Sequence, residues 1–158
     1  MAEFPITLTT TGVYHVPRIP TPAVDKVASL LQQNHEDFHV YWNFKGYHNH
    51  QVHYLLTAFA LGPDPGELQT AFDINTGYQR RRLLLDEDLI QKLSYNRYFK
   101  ALLGYDAWFN DYTVFFKRKF EQDGWQNVVN EYLFSRSEIA EELLVRLFAG
   151  RHMRSSNS

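Results

Sequence analysis

An all-α protein is the fold class this sequence predicts, and three observations predict it. Apolar residues recur at spacings of three and four, the runs end at Gly/Pro stops, and no segment alternates apolar and polar residues as a half-buried strand would. The expected architecture is an irregular multi-helix assembly with mostly short links and more than half of its residues helical. At 158 residues the chain is long enough for one domain with a core, and an aromatic content of 16% points to large buried rings.

The elements follow in order. Residues 1–22 are rich in Thr and Pro and read as an extended arm. Thr21-Pro22 is a cap-and-first-turn pair, and helical spacing then runs from Val24 to Gln33. The aromatic stretch Phe38 to Tyr47, broken by Gly46, is expected as a loop or short extended piece. A helix from about Asn49, its N-cap, to Leu61 stops at Gly62-Pro63-Asp64-Pro65-Gly66. The next covers Glu67 to Tyr78, with Leu68, Ala71 and Phe72 on one stripe. Asp86 caps a short helix to about Leu93, and a second short one covers Tyr98 to Leu103. Asp106 opens a long helix whose rings, Trp108 to Phe120, are expected in the core, and Gly124 stops it. Trp125 to Leu133 and Ser137 to Phe148 are the last two, the latter with acidic residues in its first turn. The polar, unpatterned residues 151–158 are expected to be a disordered tail.

Composition narrows the function classes. A net charge of −2 argues against nucleic acid or an anionic membrane as the main partner. Without cysteine there is no disulfide and no thiolate metal site. No apolar run approaches the roughly 18–20 residues that span a bilayer, and the start lacks the pattern of a signal peptide. An intracellular, cytoplasmic protein is the expectation.

Histidine placement is the strongest functional signal. Six of the seven histidines lie in the first 53 residues, and His48, His50 and His53 fall in one run at a helix entrance. Histidine is the commonest metal ligand and changes charge near neutral pH. Helical positions three apart share a face, so His50 and His53 are the candidate metal pair, and His48, His50 and His53 are the candidate catalytic residues. The bland alternative is a set of helix-entry histidines bonded to backbone or solvent. His35 and His39, four apart, have a metal-compatible helical spacing but read more readily as polar residues at a helix C-terminal end. Tyr41, Trp42, Phe44, Tyr47 and Tyr54 flank the histidines and could wall a pocket for a flat aromatic molecule, with core packing as the commoner use. Arg80-Arg81-Arg82 could grip a phosphate by bidentate bonds but reads first as a solvated linker. Asp73 and Asn75 either tie the adjacent turn or orient a histidine.

Several phrases resemble the questin oxidase-like family, oxidoreductases of fungal polyketide clusters such as the aflatoxin pathway. They include Asn34-His35-x-x-Phe38-His39, Tyr47-His48-Asn49-His50-x-x-His53, Ala58-Phe59-Ala60-Leu61-Gly62 and Ala71-Phe72-Asp73-x-Asn75-x-x-Tyr78-Gln79-Arg80. Gly124-Trp125-x-x-Val128-Val129-x-Glu131-Tyr132-Leu133-Phe134 and Arg146-Leu147-Phe148-Ala149-Gly150 complete the set. They occur in the right order over about residues 24–150, so residues 23–150 are expected as part of that helical domain. The resemblance implies an oxidative enzyme acting on aromatic polyketides: an NADPH-dependent, Baeyer–Villiger-like ring opening of anthraquinones, with non-haem iron at a histidine-rich site in some members. No G-x-G-x-x-G is present, so no dinucleotide fold can be read from the residues. Relatives continue from the Leu-Phe-Ala-Gly phrase into a His-Pro-x-x-His element, whereas here Arg151-His152-Met153 and a polar end follow. The chain therefore resembles the N-terminal part of a longer enzyme and is expected to be impaired as it stands. A non-catalytic helical binding module, or an inactive product, is the alternative.

Overall fold

Pro20-Thr21-Pro22 starts the first helix. Pro22 sits in its first turn, where a missing N–H costs nothing. The computed structural model describes residues 6–7, 14–17 and 19–149. The expected tail at 151–158, and most of the expected arm, lie outside them. More than half of the described residues are helical, and among them there is no strand, only the isolated bridges Phe38↔Arg81 and Tyr41↔His48. No helix is long and apolar enough to cross a membrane among the described residues. The chain divides into two compact units, Met1–Arg82 and Leu83–Ser158.

The first unit packs three helices: α1 (Thr21–Asp37), α2 (Gln51–Ala60) and α3 (Pro65–Thr76). On α1 the buried positions Ala23, Val24, Val27, Leu30, Leu31 and Asn34 form one stripe at spacings of three and four. The stripe meets Leu55 and Phe59 of α2 and Leu68 and Phe72 of α3. Ile6 and Ile19 pack on this core, and the Val16 N–H donates to the Ala60 carbonyl (2.9 Å), so the described part of the arm lies on the unit. At the start of α3, Asp64 Oδ1 accepts from the Glu67 N–H (2.8 Å) and Glu67 Oε2 accepts from the Asp64 N–H (2.9 Å). That reciprocal pair explains why α3 begins at Pro65, two residues before the sequence expectation.

The second unit carries α4 (Glu87–Lys92), α5 (Asn96–Leu102), a 3₁₀ turn (Asp106–Trp108), α6 (Phe109–Asp123), α7 (Trp125–Val129), a π-helical turn (Asn130–Phe134) and α8 (Glu138–Ala149). Asp86 caps α4 as expected, its Oδ1 accepting from the Leu89 N–H. The buried carboxylate of Asp111 on α6 accepts from the Asp86 N–H (2.8 Å) and fixes that cap in place. Gly124, at φ 79°, ends α6 in a conformation that side chains disfavour.

Two expectations are corrected here. The helix expected over Trp125 to Leu133 is α-helical only to Val129 and widens into the π turn, and π turns are inserted residues with no periodicity signature of their own. The rings of α6 are also only partly core. Phe115 is buried, and Tyr112 and Phe116 pack beside it, but Phe109 and Phe120 are exposed. A single helix cannot turn every ring of an all-round aromatic sequence inward.

Phe99, fully buried, organises this unit. Its ring centroid lies 5.0 Å from Tyr112, 6.0 Å from Phe115 and Phe116, and 5.5 Å from Tyr132. Tyr112 also donates its hydroxyl to the Phe99 carbonyl. Burial pushes the Tyr112 phenol well above its ordinary range, so it remains a donor throughout the physiological range. Phe99→Ala is expected to destabilise the second unit by about 3–5 kcal/mol, read by urea unfolding. Asp64→Ala should cost the first unit only about 1 kcal/mol.

Candidate functional site

A buried polar network sits beneath the histidine run, and Asn49 is its centre. The Asn49 Nδ2 donates to Asn34 Oδ1 (2.9 Å) and lies 3.4 Å from the His39 carbonyl. Its Oδ1 accepts from the Gln51 N–H (2.9 Å), and its own N–H donates to the Val40 carbonyl (2.8 Å). Asn49 was expected as the N-cap of α2. The cap position is instead His50, which makes no side-chain cap bond, and Asn49 satisfies the first helical N–H from one residue earlier. Gln51, buried in the first turn, donates from Nε2 to the Phe72 carbonyl (2.9 Å) and ties α2 to α3.

His39 belongs to this network. Its N–H donates to the Arg80 carbonyl (2.9 Å), and its Nδ1 accepts from the Tyr41 N–H (3.0 Å), which places the ring proton on Nε2. It lies outside α1, which ends at Asp37, while His35 lies in the last turn. The two therefore do not share a helical face, and their metal-compatible spacing is corrected: α1 stops between them.

The three candidate histidines are all exposed. His50 and His53 come together, their ring centroids 5.8 Å apart and nearly perpendicular. His48 does not join them. It pairs across the Tyr41↔His48 bridge and stacks on the Tyr41 ring at 5.5 Å. The aromatic neighbours form an open ledge rather than core or pocket wall. Trp42 stacks on Tyr47 (6.1 Å) and meets the edge of Tyr78 (5.6 Å), and Trp42, Phe44, Tyr47 and Tyr78 are all exposed. Tyr54 instead borders a shallow hollow with Asp64, Thr70 and Ile74.

The arginine triplet is tied to the fold at Arg80 and Arg82, while the Arg81 side chain stays 74% exposed. Arg80 lies over the Phe44 ring (4.4 Å), and Arg81 lies over Phe38 (4.8 Å) and 3.7 Å from Asp37. Arg82 donates from Nη1 to the His35 carbonyl (2.9 Å) and from its N–H to the Asp37 carbonyl (2.9 Å). The segment thus closes the carbonyl end of α1, where positive charge is favoured. Asp73 accepts from Gln69 (2.8 Å), and Asn75 donates to the Ala71 carbonyl and accepts from the Tyr78 hydroxyl (2.7 Å), so both serve the local turn. Sequence inspection missed Asn34, Asn49 and Gln51 as the support of the site. The available signal was an Asn continuing the buried stripe of α1, where an unpaired amide would be costly.

Two convergent imidazoles fall short of the three protein ligands usual in a catalytic metal site, and no group of three or more His, Cys, Asp or Glu is clustered among the described residues. Nor do those residues offer a dinucleotide cradle, since no strand leads into a Gly-rich turn and Arg80 and Arg82 are engaged within the fold.

Fold and site together define a helical protein that exposes a pair of histidines and, earlier in the same stretch of chain, an aromatic surface. A family model described as questin oxidase-like matches residues 47–152, and the chain belongs to that family. It is 38% identical over 141 residues to a Baeyer-Villiger oxidase of Pestalotiopsis fici, covering 89% of this chain and 32% of that protein. With the oxidoreductase AflY of Aspergillus parasiticus it shares 35% over 142 residues, covering 89% and 29%. With the questin oxidase of Aspergillus terreus it shares 34% over 139 residues, covering 88% and 31%. The chain spans about a third of the length of the curated relatives it matches.

Asn49→Ala removes one acceptor and one donor at the entrance to α2 and leaves Asn34 buried without that partner. It should destabilise the first unit by about 1–3 kcal/mol. Urea unfolding and amide exchange at Gln51 test this, and an unchanged Gln51 amide would show that Asn49 does not hold the helix entrance.

Proposed function

We propose that this chain takes part in a Baeyer–Villiger-type oxidation of an anthraquinone-like aromatic polyketide. The observation that carries the proposal is family membership over residues 47–152 together with relatives named as Baeyer–Villiger and questin oxidases. In such a reaction one oxygen atom is inserted between a ring carbonyl carbon and its neighbour, turning the ketone into an ester whose hydrolysis opens the ring. With dioxygen as oxidant the second oxygen atom leaves as water, and a two-electron reductant closes the balance. NADPH is the reductant we propose, and non-haem iron the metal. The described residues complete a site for neither, so no step is assigned through them.

The chain's own residues have a defined part in the proposal. Trp42 and Tyr47 offer stacked rings on which a flat substrate lies. His50 and His53 stand at the helix entrance as general bases for a phenol hydroxyl. Removing that proton makes the ring electron-rich and easier to oxidise.

A hydroxyanthraquinone absorbs at longer wavelength once its phenol is ionised, so proton transfer can be read without turnover. That shift is expected on mixing 1,8-dihydroxyanthraquinone with the parent chain, and it should disappear in His50→Ala/His53→Ala at unchanged helix content. Turnover by residues 1–158, with iron, NADPH and air supplied, is expected to be low, because the described donors stop at two. In the double variant it should fall further, by about 100-fold. A double variant that keeps both the shift and the turnover would make these histidines structural.

A further inference from the structure

The second unit contains a cavity of about 500 Å³, within the size range of small-molecule sites. It opens between the end of α6, the π turn and α8. Phe116, Phe120, Tyr132, Leu133 and Leu143 form much of its wall. Phe116 meets Tyr132 edge to face at 5.0 Å and lies 6.2 Å from Phe120, inclined at 31°. Phe120 at 42% and Leu147 at 62% remain exposed at the rim, apolar surface that a ligand would cover.

The lining is apolar except for two groups. One is Tyr132, whose phenol burial pushes above its ordinary range. The other is Arg146. Its Nε and Nη2 both donate to Glu142 Oε1, at 3.2 and 2.8 Å, which fixes the plane of the guanidinium. Its Nη1 lies over Gly104, at φ 92°, where a side-chain carbon would stand only 2.6 Å away. The absence of a side chain at Gly104 leaves room for the guanidinium in this position. Apolar walls, ring faces and one oriented cation are the complement of a flat polycyclic molecule carrying carbonyl or phenolate oxygens.

We propose that this cavity binds the polycyclic aromatic core of a hydroxyanthraquinone-type molecule, against the rings of Phe116, Phe120 and Tyr132 that line it, with Arg146 donating to an oxygen at its edge. The choice of ligand class rests on the function proposed above, but the site does not include the histidines. The π turn supports the assignment: it carries Tyr132 and Leu133 into the wall, and such turns are found frequently at functional sites.

The test is titration of the whole chain with 1,8-dihydroxyanthraquinone, followed by calorimetry and by quenching of intrinsic fluorescence. Leu143→Trp, which fills the cavity, should abolish binding there. Arg146→Gln should weaken it about tenfold. Circular dichroism checks that the variants keep their helices, and Arg146→Gln still decides the matter if Leu143→Trp does not fold. Binding with the same stoichiometry and affinity in the parent and in both cavity variants overturns this site and leaves the oxidase reading standing. Binding lost in the cavity variants, without the phenolate shift or turnover, keeps the site and removes that reading. Failure of the parent to bind the probe overturns the site, as does equal displacement of the probe by decanoate, which would mark a general apolar groove.

Discussion

The hydrogen bond from Asn49 Nδ2 to Asn34 Oδ1 joins two segments fifteen residues apart, and the candidate site depends on it. Asn34 is the last member of the apolar stripe of α1 and is buried at 7% exposure. An amide there is tolerable only with a partner, so the packing of α1 demands that Asn49 arrive beside it. Asn49 then sets where α2 begins, through the Gln51 N–H, and thereby the relative placement of His50 and His53. Core packing and presentation of the histidines are one physical problem, solved by a single side chain.

The segment before Asn49 is held by the same logic from the other side. His39 is bound through its N–H to Arg80 and through its ring to the Tyr41 N–H. Arg82 closes the carbonyl end of α1. With both ends fixed, Trp42, Phe44 and Tyr47 between them stand exposed as an aromatic surface patch.

The second unit is built on rings. Phe99 touches four aromatic side chains from α6 and the π turn, three of them edge to face and Tyr132 tilted, and Tyr112 also bonds the Phe99 carbonyl. The same rings, Phe116 and Tyr132, are shared between this core and the cavity beneath α8. Substituting either would disturb stability and binding together, so Arg146 is the cleaner probe of the cavity.

Read alone, the sequence determined the helical class, nearly all the helices, the Asp86 cap, the Gly/Pro stop before α3 and the adjacency of His50 and His53. These rest on periodicity and local cap chemistry, which act over three or four residues. The family phrases were legible as well. Tertiary structure alone decided that His48 turns to Tyr41, that α1 ends between His35 and His39, that the arginines close a helix end, and that Asn49 rather than a cap at the helix edge supports the site. Each of those outcomes depends on a partner 7 to 47 residues away in the chain. A one-dimensional pattern cannot specify such pairings, because they are selected by the cost of leaving a buried polar group unmatched once the helices have packed.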